Sequence, residues 1–187
     1  ERARELYRKV AGDDDFNDGD KLKALDGIRM TYKLENRRDE FLTATRNYAK
    51  FARKRLRGSK DKSDLARYLD MRITLARAIW TENSGQEAKS ILKQVENEIT
   101  GRYPVDESLF LRARIEEEAG HLKLAAKLMD QIDDKAVFDR SLRMRIQWYR
   151  AWNLRKIGRL AEAAAKFEKL ARDDDSPTAI ARDRFWL

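Results

Sequence analysis

Two stretches of the chain repeat one another at a spacing of 38 residues, and this constrains the fold more than any other feature of the sequence. Aligned on Gly120 and Gly158, the stretches match Phe110 with Trp148 ten residues before the glycine and Ala113 with Ala151 seven before it. Past the glycine, Leu122 matches Leu160, Ala125 and Ala126 match Ala163 and Ala164, Met129 matches Phe167, and Ile132 matches Leu170. A third copy lies 37 residues upstream, with Asn83 at the glycine position, Ile73 and Ala76 before it, and Ala88, Leu92 and Val95 after it. Gly85 stands there in place of the leucine, so this copy is the weaker one.

Apolar residues three and four apart share one face of a helix, so each copy predicts a helix, a tight turn and a second helix. Glycine suits a helix end that closes in the left-handed conformation, and asparagine tolerates it best among the other residues. Small alanines let the two helices approach closely, while Phe110 or Trp148 fills the gap between pairs. One pair cannot bury its own apolar stripe, so copies must stack. The expected fold is an all-α, right-handed α-solenoid of antiparallel helix pairs, a tetratricopeptide-like superhelix.

Local punctuation agrees. Ser84 with Glu87 has the spacing of a capping box, Ser176-Pro177 reads as an N-cap followed by proline at the first helical position, and Pro104 opens a helix after Gly101. Helices are predicted near 2–11, 20–34, 38–57, 63–82, 85–99, 105–119, 121–132, 136–157, 159–172 and from 177 onward, and no strand pattern competes. As a domain layout this is a single helical repeat domain over 1–187. Residues 1–62 hold divergent N-terminal helices, 63–100, 104–134 and 135–173 are helix-pair repeats, and 177–187 starts a further, truncated one. The chain opens at Glu1 already in helical register and ends within an amphipathic helix, so a piece of a longer or processed protein is expected.

Composition fits long helices with one buried stripe: 42% of residues are hydrophobic and 40% charged, with two prolines and eight glycines. There is no cysteine, which excludes disulfides, thiolate metal sites and cysteine nucleophiles. No apolar run is long enough to span a membrane. The net charge of +8 permits an anionic partner such as nucleic acid, an acidic polymer or anionic lipid. The cations gather in two clusters, Lys50, Arg53, Lys54, Arg55, Arg57, Lys60 and Lys62, and Arg140, Arg143, Arg145, Arg150, Arg155, Lys156 and Arg159. A solvated helix face is the plainer account of each, and an anion-binding face the alternative.

Chemistry-bearing motifs are few. His121 is the only histidine, sits directly after the turn glycine and is read as a turn residue, because neither a metal set nor a catalytic triad can be assembled around it. Asp13 to Asp20 is spaced roughly like a calcium loop, but its glycine comes one position late and no glutamate closes it, so it is read as an acidic turn with Asp20 as N-cap. Glu116, Glu117 and Glu118 point in different directions along a helix and are read as a solvated face. Trp148 has a core slot in the repeat. Arg145, Tyr149, Arg150 and Trp152 form a possible aromatic and cationic ligand surface, with packing as the competing account. No catalytic residue, cofactor-binding residue or metal ligand is assigned, and no cofactor is expected.

The run Trp148-Tyr149-Arg150-Ala151-Trp152, then Gly158-Arg159-Leu160-Ala161-Glu162-Ala163, Phe167, Leu170 and Ala181-Arg182-Asp183-Arg184-Phe185-Trp186-Leu187, resembles the superhelical N-terminal region of the soluble lytic murein transglycosylases. The resemblance covers about residues 140–187 and extends upstream only as helical-repeat style. It implies a periplasmic, non-catalytic scaffold that shapes substrate access or binding for a downstream catalytic domain cleaving peptidoglycan. That family's catalytic Glu-Ser dipeptide has a counterpart in Glu107-Ser108, but no Gly-Leu-Met-Gln follows and the dipeptide opens a repeat, so no catalytic residue is carried over. The alternative is a tetratricopeptide-like adaptor, cytoplasmic in that case, holding a protein or peptide on its concave face. Peptidoglycan or a protein segment is thus the expected partner. Nucleic acid is the weakest reading, since it rests on charge alone.

Overall fold

In the computed structural model, residues 1–82, 84–135, 137 and 139–186 are described, and ten α-helices lie among them. They are α1 (Arg2–Gly12), α2 (Asp18–Leu34), α3 (Arg38–Leu56), α4 (Lys62–Trp80), α5 (Gly85–Ile99), α6 (Asp106–Glu118), α7 (Leu122–Asp130), α8 (Arg140–Lys156), α9 (Leu160–Asp173) and α10 (Pro177–Phe185). No strand occurs among the described residues. Asn83, which the alignment places at the third turn, lies outside the described residues. Glu1–Val105, with α1 to α5, forms one compact unit and Asp106–Leu187, with α6 to α10, another. Within each unit, every helix packs on its neighbour in sequence.

The repeat has a common physical basis in the second unit. Gly120 and Gly158 sit at φ +82° and +85°. At each, the glycine N–H donates to a carbonyl three residues back and the next N–H to one five residues back, His121 to Glu116 at 2.8 Å and Arg159 to Leu154 at 2.9 Å. This pair of bonds satisfies the last carbonyls of the helix and requires a left-handed residue, which glycine adopts without a Cβ clash. Ala113 and Ala151, Ala125 and Ala163, Met129 and Phe167, and Ile132 and Leu170 are all buried, as are Ile73, Ala76, Ala88, Leu92 and Val95 of the third copy. The leucine slot behaves differently: Leu122 is half-buried and Leu160 is 62% exposed, because the first residue of the second helix stands at the rim of the turn.

The first unit repeats the same closure where the sequence shows no glycine. Asn36 ends α2 at φ 57°, its N–H donates to Lys33 O, and Arg37 N–H donates to Tyr32 O at 3.0 Å. Five, nine and twelve residues on, Phe41, Thr45 and Tyr48 of α3 turn inward. The helix starts also correct two expectations. Ser84 occupies the N-cap of α5 but makes no side-chain cap bond, and the Glu87 carboxylate pairs with Arg46 of α3 at 2.6 Å. Asn17, not Asp20, caps α2: its side chain accepts from Asp20 N–H at 3.0 Å and donates to the Asp20 carboxylate at 2.7 Å. Ser176 does cap α10, accepting from Ala179 N–H with Pro177 at the first position.

Ion pairs tie α3 to its neighbours and use part of the first basic cluster. Arg53 holds Glu98 of α5 at 2.5 Å, and Arg55 reaches Asp18 at 3.3 Å. Glu98 also accepts from the Tyr68 hydroxyl. Burial pushes the Tyr48 phenol up to about 12, with the nearby Asp26 carboxylate adding to it. A phenol whose folded pKa is raised contributes fully below its ordinary value near 10 and loses that contribution as pH rises toward 12. The first unit is therefore expected to lose about 2–3 kcal/mol between pH 10 and 12 from Tyr48. Tyr48→Phe should flatten that slope in denaturant titrations at stepped pH, and an unchanged slope would refute the assignment.

Candidate functional site

In α8, Ser141, Met144, Arg145, Trp148 and Tyr149 recur three and four residues apart and so share one side of the helix. The helix is started by Asp139, whose side chain accepts from Leu142 N–H at 3.0 Å. Opposite stand the α9–α10 turn, Asp174 to Ser176, and Ala179 and Arg182 of α10. Between the two walls with Arg140 lies an open groove of about 720 Å³. Its floor is apolar, made by Met144, Trp148 and Ala179, and its rim carries Arg140, Arg145 and Arg182.

The rings behind the groove hold one another. Trp148 stacks on Trp152 with centroids 5.5 Å apart and meets Tyr149 edge-on at 5.0 Å, and Trp152 meets Trp186 edge-on at 4.9 Å. Arg182 lies 5.1 Å from the Trp148 ring centre, and Arg114 lies 3.6 Å over Tyr149. Cations over ring faces are attracted by the ring quadrupole, so these arginines help order the wall as well as charge it. The Trp148 indole N–H is buried without an acceptor among the described residues.

Of the four residues proposed as a ligand surface, the structure places Arg145 and Tyr149 on the groove. The other two are turned to structural work. Arg150 donates to Met129 O and Ile132 O and grips Asp134 at 2.7 and 2.8 Å, which ties down the end of α7. Trp152 donates its indole N–H to Glu117 at 3.0 Å. Glu117 also accepts from Arg114 and from Lys156 at 2.7 Å, and Glu116 lies 2.7 Å from His121 Nδ1. Glu116 and Glu117 are buried, which corrects the solvated-face reading; only Glu118 of the three is exposed. In a stacked helix, adjacent positions both meet neighbours, so a carboxylate run is split between them.

The acidic stretch before α2 spends its carboxylates on local partners: Asp14 on Lys21 at 3.0 Å, Asp13 on Asp15 N–H at 2.9 Å. Among the described residues no group of three or more His, Cys, Asp or Glu is placed to hold a metal ion. Nor is any helix among them long and apolar enough to cross a membrane. Ser141, Met144 and Arg182 on the groove walls were missed as a site by sequence reasoning and Arg140 was named only within the second basic cluster, although the three-and-four spacing on α8 carries part of the signal.

No protein-family model matches the chain, and no curated protein sequence matches it. Among solved structures, it is similar to a putative kinesin light chain of Podosopora anserina with nearly identical TPR-like repeats. There the TM-score is 0.64 and the identity 21%, with 86% of this chain and 81% of that chain covered. A single-residue variant of the same protein gives a TM-score of 0.65 at 21% identity, over 86% and 80% of the two chains. This likeness establishes the fold as an all-α, tetratricopeptide-like repeat solenoid. The lytic transglycosylase resemblance of residues 140–187 has no counterpart in these neighbours.

Proposed function

We propose that this chain is a tetratricopeptide-like protein-interaction scaffold that holds a segment of a partner in the groove between α8 and α10. The supporting observation is the groove itself, an open cleft of about 720 Å³ with an apolar floor and a charged rim. Such a cleft offers burial for an anchoring side chain and polar contacts that set its register. The class of function follows from fold analogy, and the place follows from the groove. A photo-reactive residue at the exposed Ser141 is expected to trap a protein partner in native extract, while one at Lys50 of the first unit is not. Absence of any protein adduct from position 141 would overturn the reading.

A scaffold for a peptidoglycan lytic transglycosylase is the less supported alternative. A glycan strand binds on open aromatic faces, whereas Trp148, Trp152 and Trp186 are packed on one another. The chain should stay in the supernatant when spun with purified peptidoglycan at physiological salt, and co-sedimentation would restore this alternative along with its periplasmic setting.

A further inference from the structure

We infer that a second cleft, in the first unit and independent of the scaffold reading, binds a small zwitterion: an α-amino acid with an apolar side chain. The cleft, of about 350 Å³, is floored by Leu25, Ile28 and Tyr32 of α2, with Arg8 of α1 on one wall and α3 as the other. It lies between second helices of the stack. α3 follows the turn at Asn36, and α1 enters α2 through an Asp13 turn built like the Asp174 turn before α10, each aspartate accepting at 2.9 Å from the N–H two residues on. The α3 wall presents Asp39, Thr43 and Asn47, four residues apart and so in one line, beside the buried Ala44.

Opposite charges face the cleft from opposite walls, and neither is consumed. Arg8 gives Nη2 to the Tyr32 hydroxyl at 2.9 Å and makes no ion pair among the described residues, so its other N–H groups are open to a carboxylate. Tyr32 is itself held, with Arg4 and Arg37 at 4.6 and 5.1 Å from its ring centre. Glu40 is spent on Arg37, whose Nε donates to it at 2.9 Å, whereas Asp39 has no cationic partner among the described residues. An ammonium donates three bonds and accepts none, which matches the Asp39 carboxylate, the Thr43 hydroxyl and the Asn47 amide oxygen along one line. A lone anion would leave Asp39 unused, a lone cation would leave Arg8 unused, and the half-buried Leu25 and Ile28 between them call for an apolar group. At about 350 Å³ the cleft is at the small end of ligand pockets, about 300–1,000 Å³, and suits a molecule of amino-acid size. Arg8 and Asp39 are both exposed, so water weakens each ionic contact and binding depends on all three contacts together.

The test removes one contact at a time from the ligand. L-leucine, L-leucinamide without the carboxylate, N-acetyl-L-leucine without the ammonium, and glycine without the side chain are titrated into the whole isotope-labelled chain at about 0.15 M salt, where distant charges are largely screened. Saturable amide shifts with leucine are expected at Leu25, Ile28, Thr43 and Asn47. The other three ligands are expected to bind at least about fivefold more weakly. Arg8→Met and Asp39→Asn should each weaken leucine by a similar factor, and Arg145→Met in the second unit should leave it unchanged. Leucinamide binding as tightly as leucine would mean plain attraction to a carboxylate, and N-acetyl-leucine doing so would mean attraction of any anion to a chain of net charge +8. Either result overturns the inference. So does the absence of saturable shifts with leucine, shifts confined to residues outside the cleft, or full affinity in both Arg8→Met and Asp39→Asn. The scaffold reading stands or falls separately, on the adducts from Ser141.

Discussion

Replacing Phe167 with alanine is expected to cost the second unit about 3–5 kcal/mol. The side chain is 0% exposed and is the largest member of a cluster with Ala151, Leu154, Ala163 and Leu170, with Trp148 edge-on at 6.1 Å. Its nearest partners in that cluster include two alanines, which have no side-chain length with which to fill the space. The cavity should therefore persist, and the lost contacts add to the lost transfer free energy. For a unit of this size the melting temperature should fall by more than about 10 °C. Tryptophan fluorescence suits the measurement, since Trp148, Trp152 and Trp186 all lie in this unit. Phe167→Leu should cost no more than about 1.5 kcal/mol, as a near-conservative swap. A loss below about 1 kcal/mol for the alanine variant would show that the stack closes over the gap.

Glu117→Ala is expected to cost about 2–3 kcal/mol, a value set below the usual cost of breaking a buried pair because its cationic partners are partly wet. The carboxylate side chain is 4% exposed, against 22% for Arg114 and 34% for Lys156. Its removal takes away the acceptor of the Trp152 indole N–H and the carboxylate paired with Arg114 and Lys156. Glu117→Gln keeps an acceptor for the indole and should cost visibly less. Glu118→Ala, at the exposed next position, should stay within about 0.5 kcal/mol of the parent. Denaturant titration of the three variants checks the order, and equal effects at 117 and 118 would mean that α6 is solvated on both faces.

Those two sites mark where sequence reading worked and where it did not. Phe167 was legible because its neighbours in the repeat, Met129 and Leu92, occupy the same offset from a turn. Its burial follows from a period that any aligned copy reveals. Glu117 was illegible because its partners Trp152 and Lys156 are 35 and 39 residues away, and no local rule links them. The partners of Arg150 were illegible in the same way: beside two tryptophans it reads as a cation for a ligand, and the carbonyls it holds lie at the end of α7, 18 and 21 residues away. The groove was half legible. Arg145 and Tyr149 were named from α8 alone, whereas the wall from Asp174 to Arg182 comes into view only when α10 is laid beside it.

The sequence by itself determined the helices, the turns at Gly120 and Gly158 and the buried offsets of each copy. These depend on backbone sterics and on a 3.6-residue period, both of which act within a few residues. The tertiary structure alone decided which charges are buried and which side of α8 is left open. The reason is physical: a charged or amide side chain takes its energy from whatever faces it, and in a stack of helix pairs what faces it comes from the next repeat.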